Sequence, residues 1–141
     1  MGATHVSAAG LATLGGETMG TRWSARVAVR ASFDLHAAHA IVQGALDQVV
    51  AQMSTWEADS DISRYRRAAP GSWHALPDAF ARVLDAAMDV AAASDGAFDP
   101  TLGPLVELWG FGHGGHPRQV PPPALLAATR ARTDWQRVQR R

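Results

Sequence analysis

The sequence has 141 residues, of which 47% are hydrophobic and 18% are charged, so it suits about one globular domain rather than a disordered chain. Thirteen basic and thirteen acidic residues cancel, which excludes a general electrostatic attraction to nucleic acid or to an anionic membrane. The basic residues are all Arg, and the absence of Lys and Cys excludes a Walker-type phosphate loop, Schiff-base chemistry and a thiolate nucleophile.

The N-terminal stretch is rich in Gly and Ala, and we predict that residues 1–14 are disordered. The apolar stretch from Val6 to Leu14 is short, and no basic cluster precedes it as in a secretory signal. No run approaches the ~18 apolar residues that indicate a membrane span. The sequence therefore predicts neither an export signal nor a span, and it leaves the compartment open.

A strand and a helix are predicted next. Apolar and polar residues alternate with a period of two from Arg22 to Arg30, which predicts a half-exposed antiparallel strand. Asp34 is a suitable cap for a helix that runs to about Met53. The apolar side of this helix consists of Leu35, Ala38, Val42, Leu46, Val49, Val50 and Met53.

A polar stretch separates this helix from a second one. Residues Ser54 to Arg67 are polar and of mixed charge, which predicts a loop with a short turn. The second helix is expected to open at Pro77, whose fixed φ suits the first helical position, and to close at Gly96, which suits a left-handed cap. Its apolar stripe consists of Phe80, Val83, Leu84, Ala87, Met88 and Ala91.

The C-terminal part predicts a helix and a strand. From Thr101 to Pro123 the chain is rich in Gly and Pro, and a helix is predicted from Ala124 to about Arg132. Trp135 to Gln139 alternates like a strand, which we interpret as a chain cut inside a sheet. Nearby arginines are interpreted as solvated residues rather than as a phosphate site: Arg130, Arg132, Arg137, Arg140 and Arg141.

Two patterns that suggest metal or nucleotide chemistry are weak. The pair His36 with His39 lacks a third ligand at a matching position, and the pair His113 with His116 lies in a Gly-rich loop that would lose much backbone entropy on binding a metal, so we expect ordinary packed or surface histidines. The segment from Gly110 to Gly115 satisfies G-x-G-x-x-G. Prolines that follow it prevent the helix that a dinucleotide site requires, so we predict no Rossmann site.

Three segments rich in aromatic, Gly and small polar residues remain, and they lie at the edges of predicted elements, where binding residues concentrate. They are Glu17 to Trp23 (E-T-M-G-T-R-W), Met53 to Tyr65 (M-S-T-W-E-A-D-S-D-I-S-R-Y) and Gly96 to Gly112 (G-A-F-D-P-T-L-G-P-L-V-E-L-W-G-F-G). In this order they resemble the three successive N-terminal signatures of the ApbE family of FAD:protein FMN transferases. The resemblance extends through the Pro-rich stretch to Trp135.

The resemblance implies an α+β fold of antiparallel strands with packed helices, the incomplete N-terminal part of a single T-fold-like domain that includes residues 1–141. It implies an enzyme that binds FAD, uses Mg²⁺ and transfers FMN to a Thr or Ser hydroxyl of a target flavoprotein, with release of AMP. The family is typically periplasmic or membrane-anchored. The FAD contacts that carry over to this sequence are Met19, Trp56, Ala97, Phe98 and Asp99.

These residue types suit a flavin nucleotide. Trp56 and Phe98 offer flat surfaces for a flavin or adenine ring. Met19 offers a polarizable thioether, and Asp99 offers an acceptor for hydroxyl or amide donors. Each has a structural alternative: the first three could be core residues, and Asp99 could form a turn before Pro100.

The chain also departs from the family pattern. Arg66 stands where the family often has Asn, so a loop-fixing hydrogen bond is in doubt. The family's Gly-Gly-x-x-Lys-Gly segment, its His-x-x-x-Pro-x-Thr-Gly segment and its Asp/Thr metal ligands belong beyond Arg141, so we assign no catalytic or metal-binding residue here. Two hypotheses follow: a flavin transferase that is inactive as this truncated chain, or a non-catalytic flavin-binding or scaffold module completed by another polypeptide.

Overall fold

The fold is taken from a computed structural model that describes residues 5–6, 10–30, 32–112 and 119–141. The chain divides into two compact units, Met1–Ala75 and Leu76–Arg141. In its described residues, the first unit contains a three-stranded antiparallel sheet and two helices, and the second contains three helices and a 3₁₀ turn. This content confirms the predicted α+β class, while the assignment of residues 1–141 to a single domain stays a prediction.

The sheet has the strand order β1 (His5–Val6), β2 (Leu11–Thr18) and β3 (Thr21–Ala28). Strand β3 confirms the predicted alternation. Strand β2 corrects the prediction of disorder up to residue 14, because Ala12 is 0% exposed and Leu14 is 2% exposed. Continuous antiparallel pairing with β3, from Leu11 opposite Ala28 to Thr18 opposite Thr21, orders this Gly-rich segment.

Helix α1 (Leu35–Met53) begins where the sequence predicts. The Asp34 carboxylate caps it by accepting from the Ala37 N–H at 2.9 Å, which satisfies one of the free donors of the first turn. The helix packs on β2. The residues of the predicted apolar side are half-buried, except Val49, which is 36% exposed.

Helix α2 (Asp61–Arg67) occupies part of the segment that we expected to be a loop with a short turn. Ser60 caps this helix, since its hydroxyl accepts from the Ser63 N–H at 3.2 Å. The helix has seven residues and packs on α1. It is too short for apolar periodicity to predict it, so the cap and the contact with α1 define it.

Helix α3 (Asp78–Ala93) begins just after Pro77, as expected, but ends three residues before Gly96. The Asp95 N–H donates to the Ala92 carbonyl at 3.2 Å and the Gly96 N–H donates to the Ala91 carbonyl at 2.9 Å, which is a Schellman motif. The left-handed cap is therefore Asp95, with φ of 50°, and Gly96 continues in the same region with φ of 77°.

Two short helices follow, α4 (Gly103–Leu108) and α5 (Pro123–Arg130), and they pack on each other. Helix α4 lies in the Gly- and Pro-rich stretch for which no helix was predicted. Its second residue is Pro104, a position where the missing N–H costs nothing. Helix α5 confirms the predicted C-terminal helix.

The predicted strand from Trp135 to Gln139 is wrong, because Trp135–Arg137 forms a 3₁₀ turn. Asp134 causes this turn: its carboxylate accepts from the Gln136 N–H at 2.9 Å and its carbonyl accepts from the Arg137 N–H at 3.1 Å. The interpretation of a chain cut inside a sheet therefore loses its basis. None of the helices in the described ranges is both long and apolar enough to cross a membrane.

Candidate functional site

Met19 lies at the tip of the hairpin that joins β2 to β3. The loop consists of Met19 and Gly20, between the paired residues Thr18 and Thr21. Both loop residues have positive φ, 50° at Met19 and 70° at Gly20, as a type I′ turn requires. Gly adopts this conformation freely, whereas Met does so at a cost. The tip therefore holds a strained Met whose side chain is exposed.

A polar network connects the hairpin to α1 close to this tip. The Trp23 Nε1–H donates to Gln43 Oε1 at 3.0 Å, and Gln43 Nε2 donates to the Glu17 carbonyl at 3.3 Å. His39 Nε2 forms a hydrogen bond with the Gly15 carbonyl at 3.1 Å, and its ring centroid lies 5.5 Å from that of Trp23. Both strands of the hairpin are thus bonded to one helix.

Trp56 lies in the loop between α1 and α2. Ser60, at the far end of this loop, is 1% exposed and donates its hydroxyl to the Ser54 carbonyl at 2.6 Å. Ser63 Oγ donates to the same carbonyl at 3.4 Å, and the Trp56 N–H donates to Ser54 Oγ at 3.2 Å. The base of the loop is therefore closed by hydrogen bonds, two of them partly buried, while the Trp56 side chain is 72% exposed.

The run from Ala97 to Asp99 follows α3 in a turn that Ser94 fixes. The Ala97 N–H donates to the Ser94 carbonyl and the Phe98 N–H donates to Ser94 Oγ, each at 3.1 Å. Asp99 Oδ1 accepts from the Thr101 N–H at 2.7 Å and from the Thr101 hydroxyl at 2.6 Å. Asp99 thus forms a turn, as its structural alternative predicts, but both bonds use one oxygen.

The end of the third signature is a helix cap. The Gly110 N–H donates to the Glu107 carbonyl at 2.9 Å and the Phe111 N–H donates to the Val106 carbonyl at 3.0 Å. Gly110 has φ of 76°, so it is the left-handed residue of a second Schellman motif. Gly110 therefore ends a helix, whereas a dinucleotide loop opens one. The rest of the G-x-G-x-x-G match, from residue 113, lies outside the described residues.

The residues expected to contact FAD divide between the two units. Met19 and Trp56 lie on separate loops of the first unit, and Ala97 to Asp99 are contiguous on one turn of the second. The side chains that hold these loops, Gln43, Ser60 and Thr101, were not predicted from the sequence. Ser60 had a usable signal, because Ser before Asp-Ile-Ser is a helix-capping pattern.

Among the residues that the structure describes, no group of three or more His, Asp or Glu side chains could hold a metal ion. His36 is exposed on α1, and His39 is bonded to the Gly15 backbone. The second pair, His113 with His116, lies outside the described residues.

Solved structures share this fold. The crystal structure of the Pseudomonas stutzeri flavinyl transferase ApbE, apo form, superposes with a TM-score of 0.86 at 33% identity, covering 93% of this chain and 44% of that one. The flavin transferase ApbE from Vibrio cholerae also gives 0.86, at 32% identity, over 92% of this chain and 42% of that one. The chain therefore shares the architecture of the matching part of these flavin transferases.

Sequence comparison identifies the family. The sequence profile of the ApbE family matches residues 19–141, and the chain belongs to this family. The FAD:protein FMN transferase of Klebsiella pneumoniae is 37% identical over 137 residues, which cover 96% of this chain and 39% of that protein. The chain thus spans about two-fifths of the length of the curated relatives it matches.

Proposed function

We propose that this chain forms the ring-binding part of an FAD:protein FMN transferase. In this proposal FAD is contacted by Met19, Trp56, Ala97, Phe98 and Asp99. The FMN moiety passes to a Thr or Ser hydroxyl of a target flavoprotein. The names of the relatives support FAD as substrate and a protein as acceptor, although those names describe proteins of which this chain covers 39% or less.

One observation carries the proposal: large apolar side chains are exposed on loops whose backbones are fixed. The exposed fractions are 72% for Trp56, 56% for Met19 and 45% for Phe98. Large parts of these three side chains are therefore accessible to a ligand. Exposed aromatic groups on a preorganised backbone are typical of a ligand site, because little conformational entropy is lost when the ligand binds.

Each residue has a role that its chemistry supports. Trp56 and Phe98 would stack on the flavin or adenine ring, and the Met19 thioether would contact a ring edge. Asp99 Oδ1 is committed to Thr101, which leaves Oδ2 for a hydroxyl or N–H donor of FAD. Ala97 is small and exposed, so a ring can approach the backbone there.

The transfer needs more than these groups. A target hydroxyl oxygen bonds to the phosphorus of the FMN moiety while the bond from that phosphorus to AMP breaks, and the hydroxyl proton passes to a base. Metal ions and cationic side chains stabilise the charge on the phosphoryl group. The described residues provide no group of three or more metal ligands, so they do not fit a Mg²⁺ site. From the family resemblance, we expect the Mg²⁺ ligands in the part of the family that this chain does not cover.

The binding experiment titrates FAD into the purified chain and follows flavin fluorescence. Trp56→Ala and Phe98→Ala are each expected to weaken binding about tenfold, since stacking of one base on one aromatic ring is worth ~1–3 kcal/mol. Trp73→Ala and Phe33→Ala are matched controls, because these rings, each 48% exposed, lie outside the three signatures. Unchanged FAD affinity in both site variants would contradict the assignment of Trp56 and Phe98 to the site. An equal loss of affinity in the two control variants would contradict it as well.

The transfer experiment uses mass spectrometry of a target flavoprotein to detect covalently added FMN. With FAD and Mg²⁺ present, we expect no product from this chain alone and full product from a complete relative, since one charge-stabilising group is worth ~10³–10⁵ in rate. Product from the chain alone would contradict this assignment of roles. If the missing part of a relative is added and FAD still binds without transfer, the non-catalytic flavin-binding or scaffold module is favoured.

A further inference from the structure

We propose that Gln43 is a positioning residue that holds the Met19 hairpin tip in one conformation through a hydrogen-bonded chain from Trp23 to Asp47. The expected effect on FAD affinity rests on the proposed function, whereas the expected effect on the conformation of the hairpin tip does not. Gln43 lies on α1, and its side-chain amide reaches both strands of the hairpin near the turn.

The polarity of the partners fixes the orientation of the Gln43 amide. The Trp23 indole N–H can only donate, so it requires the amide oxygen, which it meets at 3.0 Å. The Asp47 carboxylate can only accept, so it requires the amide nitrogen, which donates to it at 2.9 Å. The same nitrogen donates to the Glu17 carbonyl at 3.3 Å. A flipped amide would lose these bonds, so one orientation is selected.

Gly16 makes room for this arrangement. It lies opposite Trp23 in the hairpin. A Cβ at residue 16 would lie 2.7 Å from both Gln43 Oε1 and Trp23 Nε1, the two atoms that form the first bond of the chain. Real Cβ atoms essentially never come closer than 3.0 Å to such atoms, so the Gln43 amide or the Trp23 indole would have to shift. The missing side chain of Gly16 is therefore what allows the Trp23 indole to reach the amide.

The tip follows directly beyond these contacts. After Gly16 opposite Trp23 come the pairs Glu17 with Arg22 and Thr18 with Thr21, and then the two loop residues. The cross-strand ion pair of Glu17 with Arg22, at 3.4 Å, is highly exposed and adds little rigidity. A hairpin is marginally stable by itself, and a strained residue persists only where its surroundings determine it. The Gln43 amide is a contact that can determine the orientation of the tip.

The test compares the full chain with Gln43→Met, Gln43→Glu and the double variant Gln43→Glu with Asp47→Asn. Nuclear magnetic resonance follows hydrogen exchange of the Trp23 indole N–H and of the backbone amides of residues 18–22, together with the Met19 methyl signal. Gln43→Met keeps the volume but removes the hydrogen bonds, and we expect exchange to accelerate about fivefold, the factor for one net hydrogen bond. Gln48→Met, an exposed Gln of the same helix, is the matched control.

The other two variants test the polarity argument. Gln43→Glu places one carboxylate against another and should loosen the tip at least as much as Gln43→Met. Adding Asp47→Asn reverses the donor and acceptor between positions 43 and 47 and keeps an acceptor for the Trp23 indole N–H, but it does not restore the bond to the Glu17 carbonyl. We therefore expect slow exchange to return at the Trp23 indole N–H and only in part at residues 18–22. A residue that only fills space would show neither the loosening in Gln43→Met nor this rescue.

FAD affinity is measured on the same samples. We expect Gln43→Met to weaken binding about fivefold, in step with the exchange rates. Unchanged exchange and an unchanged Met19 signal in Gln43→Met would overturn the proposal whatever FAD does. A loosened tip with unchanged FAD affinity would overturn the role in binding. If the parent chain binds no FAD, the proposed function fails, while a loosened tip with rescue still supports the positioning role.

Discussion

Ser60 donates its hydroxyl to the Ser54 carbonyl at 2.6 Å, and through this bond the first residue before helix α2 closes the loop that carries Trp56. The Ser60 hydroxyl also accepts from the Ser63 N–H at 3.2 Å, so a single buried oxygen serves as helix cap and loop closure.

The first prediction removes this oxygen. Ser60→Ala is expected to lower the free energy of unfolding by about 1–3 kcal/mol, because it loses an N-cap and leaves the partly buried Ser54 carbonyl with fewer donors. Urea denaturation followed by circular dichroism measures the change. Ser24→Ala, on an exposed position of β3, should shift stability by less than about 0.5 kcal/mol. Equal stability of the two variants would contradict the role of Ser60.

The second prediction concerns the strain at Met19. Met19→Asn creates Asn-Gly, the pair that best suits a type I′ turn, so we expect unfolding free energy to rise by about 0.5–1 kcal/mol. The same variant removes the thioether, so FAD affinity should fall. Thermal melts and FAD titration on one sample measure both effects. A stabilised variant that binds FAD as tightly as the parent would show that the strained Met serves no ligand.

The third prediction uses two glycines with different surroundings. Gly16→Ala should destabilise the chain by about 1–3 kcal/mol, the usual cost of forcing extra atoms into a packed site. Gly44→Ala, within α1, meets nothing within 4 Å and should stabilise the chain by about 0.5–1 kcal/mol through higher helix propensity. Urea denaturation distinguishes the expected loss of stability in Gly16→Ala from the expected gain in Gly44→Ala. Similar effects of the two substitutions would argue against the packing described around Gly16.

The fourth prediction separates the two roles of Asp99. Asp99→Asn keeps an oxygen that can accept from Thr101, so stability should change by less than about 0.5 kcal/mol. It replaces the remaining acceptor with a donor, so FAD binding should weaken about tenfold, as for loss of a hydrogen bond to a charged group. Asp89→Asn, at an exposed position of α3, is the matched control for the change of charge. Loss of stability without loss of affinity would leave Asp99 with only its role in the turn.

Local patterns were enough for the longer elements. The alternation around Trp23 predicted β3, and the Asp34 cap with its apolar side predicted α1, because both signals lie within the element itself. The signatures around Met19, Trp56 and Asp99 also predicted the family that the comparisons establish. Such signals predict structure correctly because they come from residues that are close together in the chain.

The candidate site was predicted only in part. The sequence named the candidate contact residues, but it did not name Gln43, which forms a hydrogen bond with Trp23 twenty residues away in the chain. It also did not show that the Asp99 turn uses one carboxylate oxygen and leaves the other. A bond between side chains on two elements depends on how those elements pack, and no local pattern records this.

The sequence by itself determined β3, the two long helices and the family, because periodicity, caps and signature motifs are local properties of the chain. The 3₁₀ turn at Trp135 also has a local cause, since the Asp134 carboxylate accepts from the Gln136 N–H two residues further on. The tertiary structure decided that Leu11 to Leu14 belong to a strand, since pairing with β3 supplies the hydrogen bonds that an extended segment cannot supply alone. It also decided that Gln43 meets Trp23, because only the packing of α1 on the hairpin brings residues twenty positions apart within hydrogen-bond distance.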